Sequence, residues 1–212
     1  MADDHHVVRT DGEHGMTTEN VFSEKPERID FSKNLLVAMP GRVSGSLADT
    51  VIYICEHNEN GALGVVINRP TDLTIGALLE RIELDLSLEI GVRQQEAVFF
   101  GGPVQTDRGF VLHAPVGQYS SSIGLGDVAL TTSRDVLQEV AAGAGPDQIL
   151  VTLGYAGWSA GQLEEEMAQN AWLHVESNHD ILFTIPAAER YHAALAQLGI
   201  DPIMLNGSVG HA

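Results

Sequence analysis

The chain has 212 residues, 44% of them hydrophobic, and its 29 acidic residues outnumber 11 basic ones, which leaves a formal net charge of −18 at pH 7. This length suffices for one full domain, but no stretch approaches the ~18 uninterrupted apolar residues of a membrane-spanning helix. Nucleic-acid binding depends on lysines and arginines that neutralise backbone phosphates, and this chain has few of them. The composition therefore excludes an integral membrane protein and disfavours direct nucleic-acid binding.

The N-terminal segment and the single cysteine indicate a cytoplasmic location. The opening residues MADDHH lack the basic start and the apolar stretch of a secretory signal. Cys55 has no second cysteine with which to form an internal disulfide, as is common in reducing compartments. Residues 1–33 contain many acidic and polar side chains and few apolar ones, which predicts an acidic disordered or adaptable tail. A single domain is expected over residues 34–212.

Short apolar runs separated by turn residues predict that the first half of the domain is rich in strands. Asn60 and Gly61 can adopt the positive φ angles of a tight turn, so the two runs that flank them form a hairpin. Residues 75–82 have apolar side chains at helical spacing, whereas residues 84–96 have no clear period. Residues 120–122 are interpreted as a flexible loop. The predicted strands cover residues 35–39, 50–56, 62–68, 97–100, 109–113 and 128–131.

Helices and strands alternate in the second half of the domain. Ser133 is placed to cap a helix, and Ser159 and Gln162 match a capping box after a glycine-rich turn over residues 154–161. The predicted helices cover residues 133–142, 159–170 and 186–199, and the predicted strands cover residues 148–153, 171–175 and 181–185. Because hairpins precede helices and strands outnumber them, the pattern indicates a mixed α+β domain.

Cys55 and His57 are the sharpest candidates for chemistry. Alternate residues of a strand face the same side, so this spacing places both side chains on one face beside Tyr53. An adjacent imidazole promotes the thiolate that thiol catalysis needs, which makes Cys55 and His57 the candidate catalytic residues. The alternative is a buried cysteine that serves as a small hydrophobic residue.

A glycine-containing turn before Arg108 is a candidate ligand site. Gly101 and Gly102 follow a predicted strand and lead to Arg108, one of the few cations available to a ligand carboxylate or phosphate. The alternative is a β-turn in which Arg108 pairs with Asp107 or another acidic neighbour.

The turn over residues 154–161, which contains Tyr155 and Trp158, is a second candidate. A turn that joins a strand to a capped helix can hold an anion, but this one lacks lysine and is followed by three glutamates. The alternative is that its glycines permit a tight turn and close packing. Trp158 and Trp172 are interpreted as core residues that seal the ends of the following helix, rather than as residues that stack on a ligand.

No metal ion or cofactor is predicted. The chain has nine histidines, but they do not occur in the HxxxH, HxH or CxxC spacings that bring metal ligands together on one element. The sequence also lacks the Walker-type phosphate loop and the GxGxxG dinucleotide pattern.

Four distinctive runs occur in order along the chain: AMPG from Ala38, VIYICEHNENGALGVVINRP from Val51, GGPVQTDRGFVLH from Gly101 and LGYAGWSAGQLEEEMAQNAWL from Leu153. In these runs the chain resembles the AlgH/YqgE family of bacterial proteins, and the match extends over residues 34–212. The resemblance implies an α+β fold in which a mixed, largely antiparallel, bifurcated sheet forms a pseudo-barrel with several flanking helices. It also implies a cytosolic protein, and some relatives are labelled transcriptional regulators.

These features predict a non-enzymatic ligand- or protein-binding regulatory module that takes an unknown small ligand or protein partner. We expect its binding surface where three segments meet. The candidate ligand-binding residues are Glu56, His57, Asn58, Gly101, Gly102, Arg108, Tyr155 and Trp158. One alternative is a thiol-dependent enzyme or redox sensor that uses Cys55 with His57. Another is a transcriptional regulator that acts indirectly, through a protein partner.

Overall fold

Ten strands form one sheet in a computed structural model that describes residues 29–201. The strands are β1 Asn34–Ala38, β2 Val51–Asn58, β3 Gly61–Val66, β4 Pro70–Thr74, β5 Ala97–Phe100, β6 Val104–Ala114, β7 Ser122–Gly124, β8 Ala129–Thr131, β9 Gln148–Ser159 and β10 Trp172–Glu176. The α-helices are α1 Ile75–Arg81, α2 Arg134–Ala141, α3 Gln162–Ala168 and α4 Ala187–Gln197. Two 3₁₀ segments, Gly45–Leu47 and Leu88–Gln95, and a π-helical turn, Asp180–Thr184, complete the chain described.

The sheet divides at β9. The main path runs β10-β1-β2-β3-β9-β6-β8-β7, and β9 pairs with β6 along one edge. Its other edge is shared: the first half of β9 pairs in parallel with β5, which carries β4, and the second half pairs antiparallel with β3. The sheet curls into a half-barrel with helices packed on it. This confirms the predicted α+β fold with a mixed, largely antiparallel, bifurcated sheet.

Glycine allows the close backbone contacts at the division. Gly154 has a φ of 76°, and β9 changes its partner there without ending. A Cβ on Gly101 would lie 2.2 Å from the carbonyl oxygen of Gly154, and one on Gly102 would lie 2.1 Å from the carbonyl carbon of Tyr155. The predicted end of this strand at residue 153 and the turn over 154–161 are therefore wrong, because glycine bends the strand instead of terminating it.

Three apolar clusters fill the two sides of the sheet. The first lies inside the half-barrel, where Leu35 and Leu112 pack with Ile181 and Leu195 from the π-helical turn and α4. The second lies on the outer side of β1–β3 and the end of β9, against α3. The third lies on the outer side of β5, β6 and β9, against α1 and α2. Successive residues of a strand therefore belong to different clusters, as strand alternation requires.

One further prediction was wrong. Residues 181–185 are not a strand, because the consecutive Ile181 and Leu182 are each 1% exposed and face the same cluster, which a strand cannot achieve. In the segment interpreted as a loop, Ser120 and Ser121 lie outside the strands, and Ser122 begins β7, which pairs with β8. Strand β4 was also missed.

The packed structure begins before the predicted boundary at Asn34. Phe31, which was assigned to the tail, is 5% exposed and belongs to the second apolar cluster. The remainder of the predicted tail, residues 1–28, lies outside the described residues, as do residues 202–212.

Candidate functional site

A β-bulge separates the two candidate catalytic side chains. Ile54 pairs with Gly64 and Glu56 pairs with Leu63, so Cys55 is an extra residue in β2. After the bulge, each side chain of β2 faces the side of the sheet opposite to the one that simple strand alternation predicts. Cys55 joins the cluster inside the half-barrel, whereas His57 packs outside it, on Phe31. The predicted common face for Cys55 and His57 is therefore wrong.

The Cys55 thiol lies in an environment that suppresses its reactivity. The residue is 2% exposed, and its Sγ donates a weak hydrogen bond to the carbonyl oxygen of Tyr53 at 3.5 Å. Burial raises the pKa of the Cys55 thiol well above its usual range, because the thiolate loses hydration. This is the opposite of the accessible, acid-shifted thiol that the enzyme or redox-sensor alternative requires.

His57 lies between the start of the described chain and α3. Its ring is on the outer face of the sheet, outside the half-barrel. Its Nδ1 accepts the backbone N–H of Phe31 at 3.1 Å, so the neutral ring carries its proton on Nε2. That Nε2 lies 3.3 Å from Glu164 Oε1, an ion-pair distance, without the geometry of a hydrogen bond. Its contacts therefore give His57 a structural role.

Other predicted residues meet on the inner face of the half-barrel. A depression of about 400 Å³ is lined by Glu56, Asn58, Tyr155 and Trp158. A second depression of about 270 Å³ adjoins it and contains Arg108. Leu63 and Tyr155 line both, so we call the pair the double cleft. The three predicted segments thus converge, with Tyr155 between them.

The two ends of the double cleft carry opposite charges. Glu56 is exposed, and its Oε1 accepts a hydrogen bond from Asn58 Nδ2 at 2.6 Å. At the other end, the Arg108 guanidinium lies 5.5 Å from the centre of the Phe110 ring and donates a long hydrogen bond, 3.4 Å, to Gln105. Among residues 29–201 Arg108 forms no ion pair, so the alternative in which it pairs with Asp107 is wrong.

The remaining predicted residues are structural or peripheral. Gly101 and Gly102 line neither depression, and they allow the backbone of β5 to approach β9. Trp158 borders the first depression with a small part of its surface, because it is 6% exposed. Its indole and that of Trp172 pack edge to face with centroids 5.9 Å apart, and both donate to Glu166 Oε2. Their predicted place in the core is confirmed.

Several residues of the double cleft were missed from the sequence. Leu63, Val104, Phe110, Ser122 and Thr132 line it. Strand alternation from Arg108 could have identified Phe110, two residues later on the same face. The other four depend on which strands become neighbours, so they had no local signal.

A GxSxG pattern also occurs at residues 157–161, over the end of β9 and just before α3, where a hydrolase would place its nucleophile. However, the hydroxyl of Ser159 donates to Gln162 Oε1 at 3.1 Å, and Ser159 contacts no histidine among the described residues. The Ser-His pair that such a nucleophile requires is therefore not formed in this part of the chain.

The part of the chain that the structure describes lacks both a cluster of metal ligands and a membrane-spanning helix. Residues 29–201 contain no group of three or more His, Cys, Asp or Glu side chains placed to hold one metal ion. No helix within the same residues has the length and hydropathy needed to cross a membrane.

Known proteins resemble the chain over most of its length. Residues 35–203 match the family described as AlgH-like. A UPF0301 protein of Bordetella petrii is 64% identical over 96% of this chain and 100% of its own length. A UPF0301 protein of Bordetella pertussis is 68% identical over 94% of this chain and 98% of its own.

Two solved structures resemble the fold. The AlgH protein from Pseudomonas aeruginosa is 48% identical, covers 86% of this chain and 96% of its own, and superposes with a TM-score of 0.70. A protein from Corynebacterium diphtheriae is 18% identical, covers 84% of this chain and 91% of its own, and has a TM-score of 0.64. The second likeness concerns the fold alone.

Proposed function

The chain belongs to the AlgH-like family, and from that premise we propose that it is a non-enzymatic regulatory module that binds a small ligand in the double cleft. The observation that carries the proposal is the convergence of the β2–β3 hairpin, β6 and β9 around Tyr155. There they line adjoining open depressions of about 400 and 270 Å³. Together the two depressions have the volume of a small-molecule site, roughly 300–1,000 Å³. We further propose that the protein acts in the cytoplasm.

The other two hypotheses receive less support. The thiol-dependent enzyme or redox sensor needs a reactive thiol, and Cys55 is buried with a raised pKa on the face opposite His57. An indirect transcriptional regulator needs a protein partner, and the double cleft identifies none. Direct nucleic-acid binding is opposed by the net charge of −18.

The proposal is tested by mapping ligands on the full chain by two-dimensional NMR. The probes are an amino-acid mixture, short peptides, mononucleotides and dicarboxylates, each at millimolar concentration. We expect at least one class to shift the amide signals of Leu63, Val104 and Tyr155. Tyr155→Leu removes the ring shared by both depressions and should abolish those shifts.

Tyr119→Leu is the matched control, because Tyr119 packs on His113 and lines neither depression. It should leave ligand binding unchanged. The proposal is overturned if no class shifts the three amide signals, or if binding survives Tyr155→Leu.

A further inference from the structure

The residues that line the double cleft form a continuous stripe across four neighbouring strands. Glu56 of β2 lies opposite Leu63 of β3, and Leu63 lies opposite Gly157, two residues from Tyr155 on β9. The Tyr155 ring packs edge to face on Phe110 of β6 with centroids 5.5 Å apart, and Arg108 lies over the same Phe110 ring. The stripe therefore has a carboxylate at one end, a guanidinium at the other and an apolar surface between them.

From this arrangement we infer the ligand class, an inference that rests on the proposed binding function. We propose that the double cleft takes a zwitterionic ligand in extended form, at least as long as a tetrapeptide. Its cationic end lies at Glu56, its anionic end lies at Arg108, and its middle packs on Leu63 and Tyr155.

The order of the strands indicates how long the ligand has to be. Three inter-strand intervals separate β2 from β6 in the order β2-β3-β9-β6. At about 4.8 Å each they span about 14 Å across the strands, so a ligand that reaches both charges needs at least about four residues of extended peptide. Glu56 and Arg108 do not pair with each other in the structure, because Glu56 accepts from Asn58 and the Arg108 guanidinium lies over the Phe110 ring.

The charges of Glu56 and Arg108 indicate which charge each end of the ligand carries. Among residues 29–201, neither Glu56 nor Arg108 forms an ion pair, and Leu63, Tyr155 and Phe110 place an apolar or aromatic surface between them. A ligand with opposite charges at its two ends satisfies both. A purely anionic ligand would leave Glu56 unpaired and meet its repulsion, in a protein whose net charge is already −18.

The test compares three peptides that differ only at their ends: tetra-alanine with free termini, N-acetyl-tetra-alanine and tetra-alanine amide. Each is titrated into the full chain and followed by the amide signals of Leu63 and Tyr155. Exposed ion pairs contribute about 0.2–1 kcal/mol, so blocking either terminus should weaken binding roughly threefold. Glu56→Gln should remove the preference for a free amino group only, and Arg108→Gln the preference for a free carboxylate only.

Glu59→Gln and Arg42→Gln make the same charge changes at exposed positions outside the double cleft, and they should alter neither preference. Equal affinities of the three peptides, or equal effects of the control variants, would overturn the inference. If other probes bind in the double cleft and none of the peptides does, the ligand class is wrong and the binding function stands. If no probe of any class binds there, the binding function itself fails.

Discussion

Cys55 illustrates how one extra residue decides the chemistry of a side chain. The bulge turns His57 away from it, and burial raises its thiol pKa. We expect native Cys55 to react with iodoacetamide far more slowly than the urea-unfolded chain between pH 7 and 9, as measured by intact mass. Since the chain has one cysteine, every added mass reports on this residue. A native rate equal to or above the unfolded rate at pH 7 would restore the thiol-enzyme hypothesis.

Gly102 is required where β5 and β9 approach each other. Its φ is 151°, and an added Cβ would overlap the Tyr155 backbone at 2.1 Å. Gly102→Ala should therefore lower the free energy of unfolding by about 3 kcal/mol or more, measured by urea denaturation.

Gly109→Ala provides the control for Gly102→Ala, because nothing lies within 4 Å of its added Cβ and its φ is not positive. Alanine restricts the unfolded chain more than glycine, so the control should be neutral or up to about 1 kcal/mol more stable. Similar losses in both variants would refute the close-approach explanation.

At the scale of elements, one carboxylate of α3 accepts hydrogen bonds from two strands of the sheet. Glu166 Oε2 accepts from Trp158 of β9 at 2.9 Å and from Trp172 of β10 at 2.7 Å, while Oε1 accepts from Gln162. Glu166→Ala leaves two largely buried indole N–H groups without an acceptor, so we expect a loss of about 2–3 kcal/mol in the free energy of unfolding.

The exposed Glu165, next to Glu166 on α3, is the matched control for this element. Glu165→Ala should change the unfolding free energy by less than about 0.5 kcal/mol. The indole N–H signals in NMR should shift only in the Glu166 variant. Equal losses from both substitutions would show that removal of a negative charge near the start of α3, and not loss of the two hydrogen bonds, is responsible.

For the whole molecule, the pH dependence of unfolding should contain a contribution from His113. This side chain is fully buried, and burial lowers its pKa, although a hydrogen bond to the carbonyl oxygen of Pro115 at 3.1 Å opposes the shift. The unfolded chain therefore binds a proton near pH 6.5 that the folded chain takes up only at lower pH. Stability should be full above pH 7 and decline as the pH falls from about 6.5 towards 5.

Urea denaturation between pH 5 and 8 measures this decline, and His113→Asn should flatten it, whereas the exposed His192→Asn should not. Asp135 does not contribute to this decline. Hydrogen bonds from Ser133 and Ser120 lower the pKa of Asp135 to about 2, so its carboxylate stays ionised between pH 5 and 8. If His113→Asn does not fold, the pH titration of the His113 ring signals in NMR of the unsubstituted protein tests the prediction instead. Titration of the His113 ring at or above about pH 6.5, the ordinary pKa of histidine, would contradict the prediction.

The sequence alone determined the features that depend on neighbouring residues. The turn at Asn60 and Gly61, the helical spacing of α1 and the pairing of Gln162 with Ser159 are local, because their physics involves residues within about four positions of each other. The family resemblance carried the overall fold. The candidate residues Glu56, Arg108 and Tyr155 were also identified, since each stood out by charge or by its place beside glycines.

Only the tertiary structure decided which of these residues share a surface. The bulge at Cys55 exists because β2 and β3 align differently before and after it, and the bend at Gly154 exists because β9 has two partners on one edge. Pairing between strands distant in sequence leaves no local period to detect. The same pairing brings Leu63 and Phe110 to Tyr155 and so forms the double cleft, which no single segment of the chain encodes.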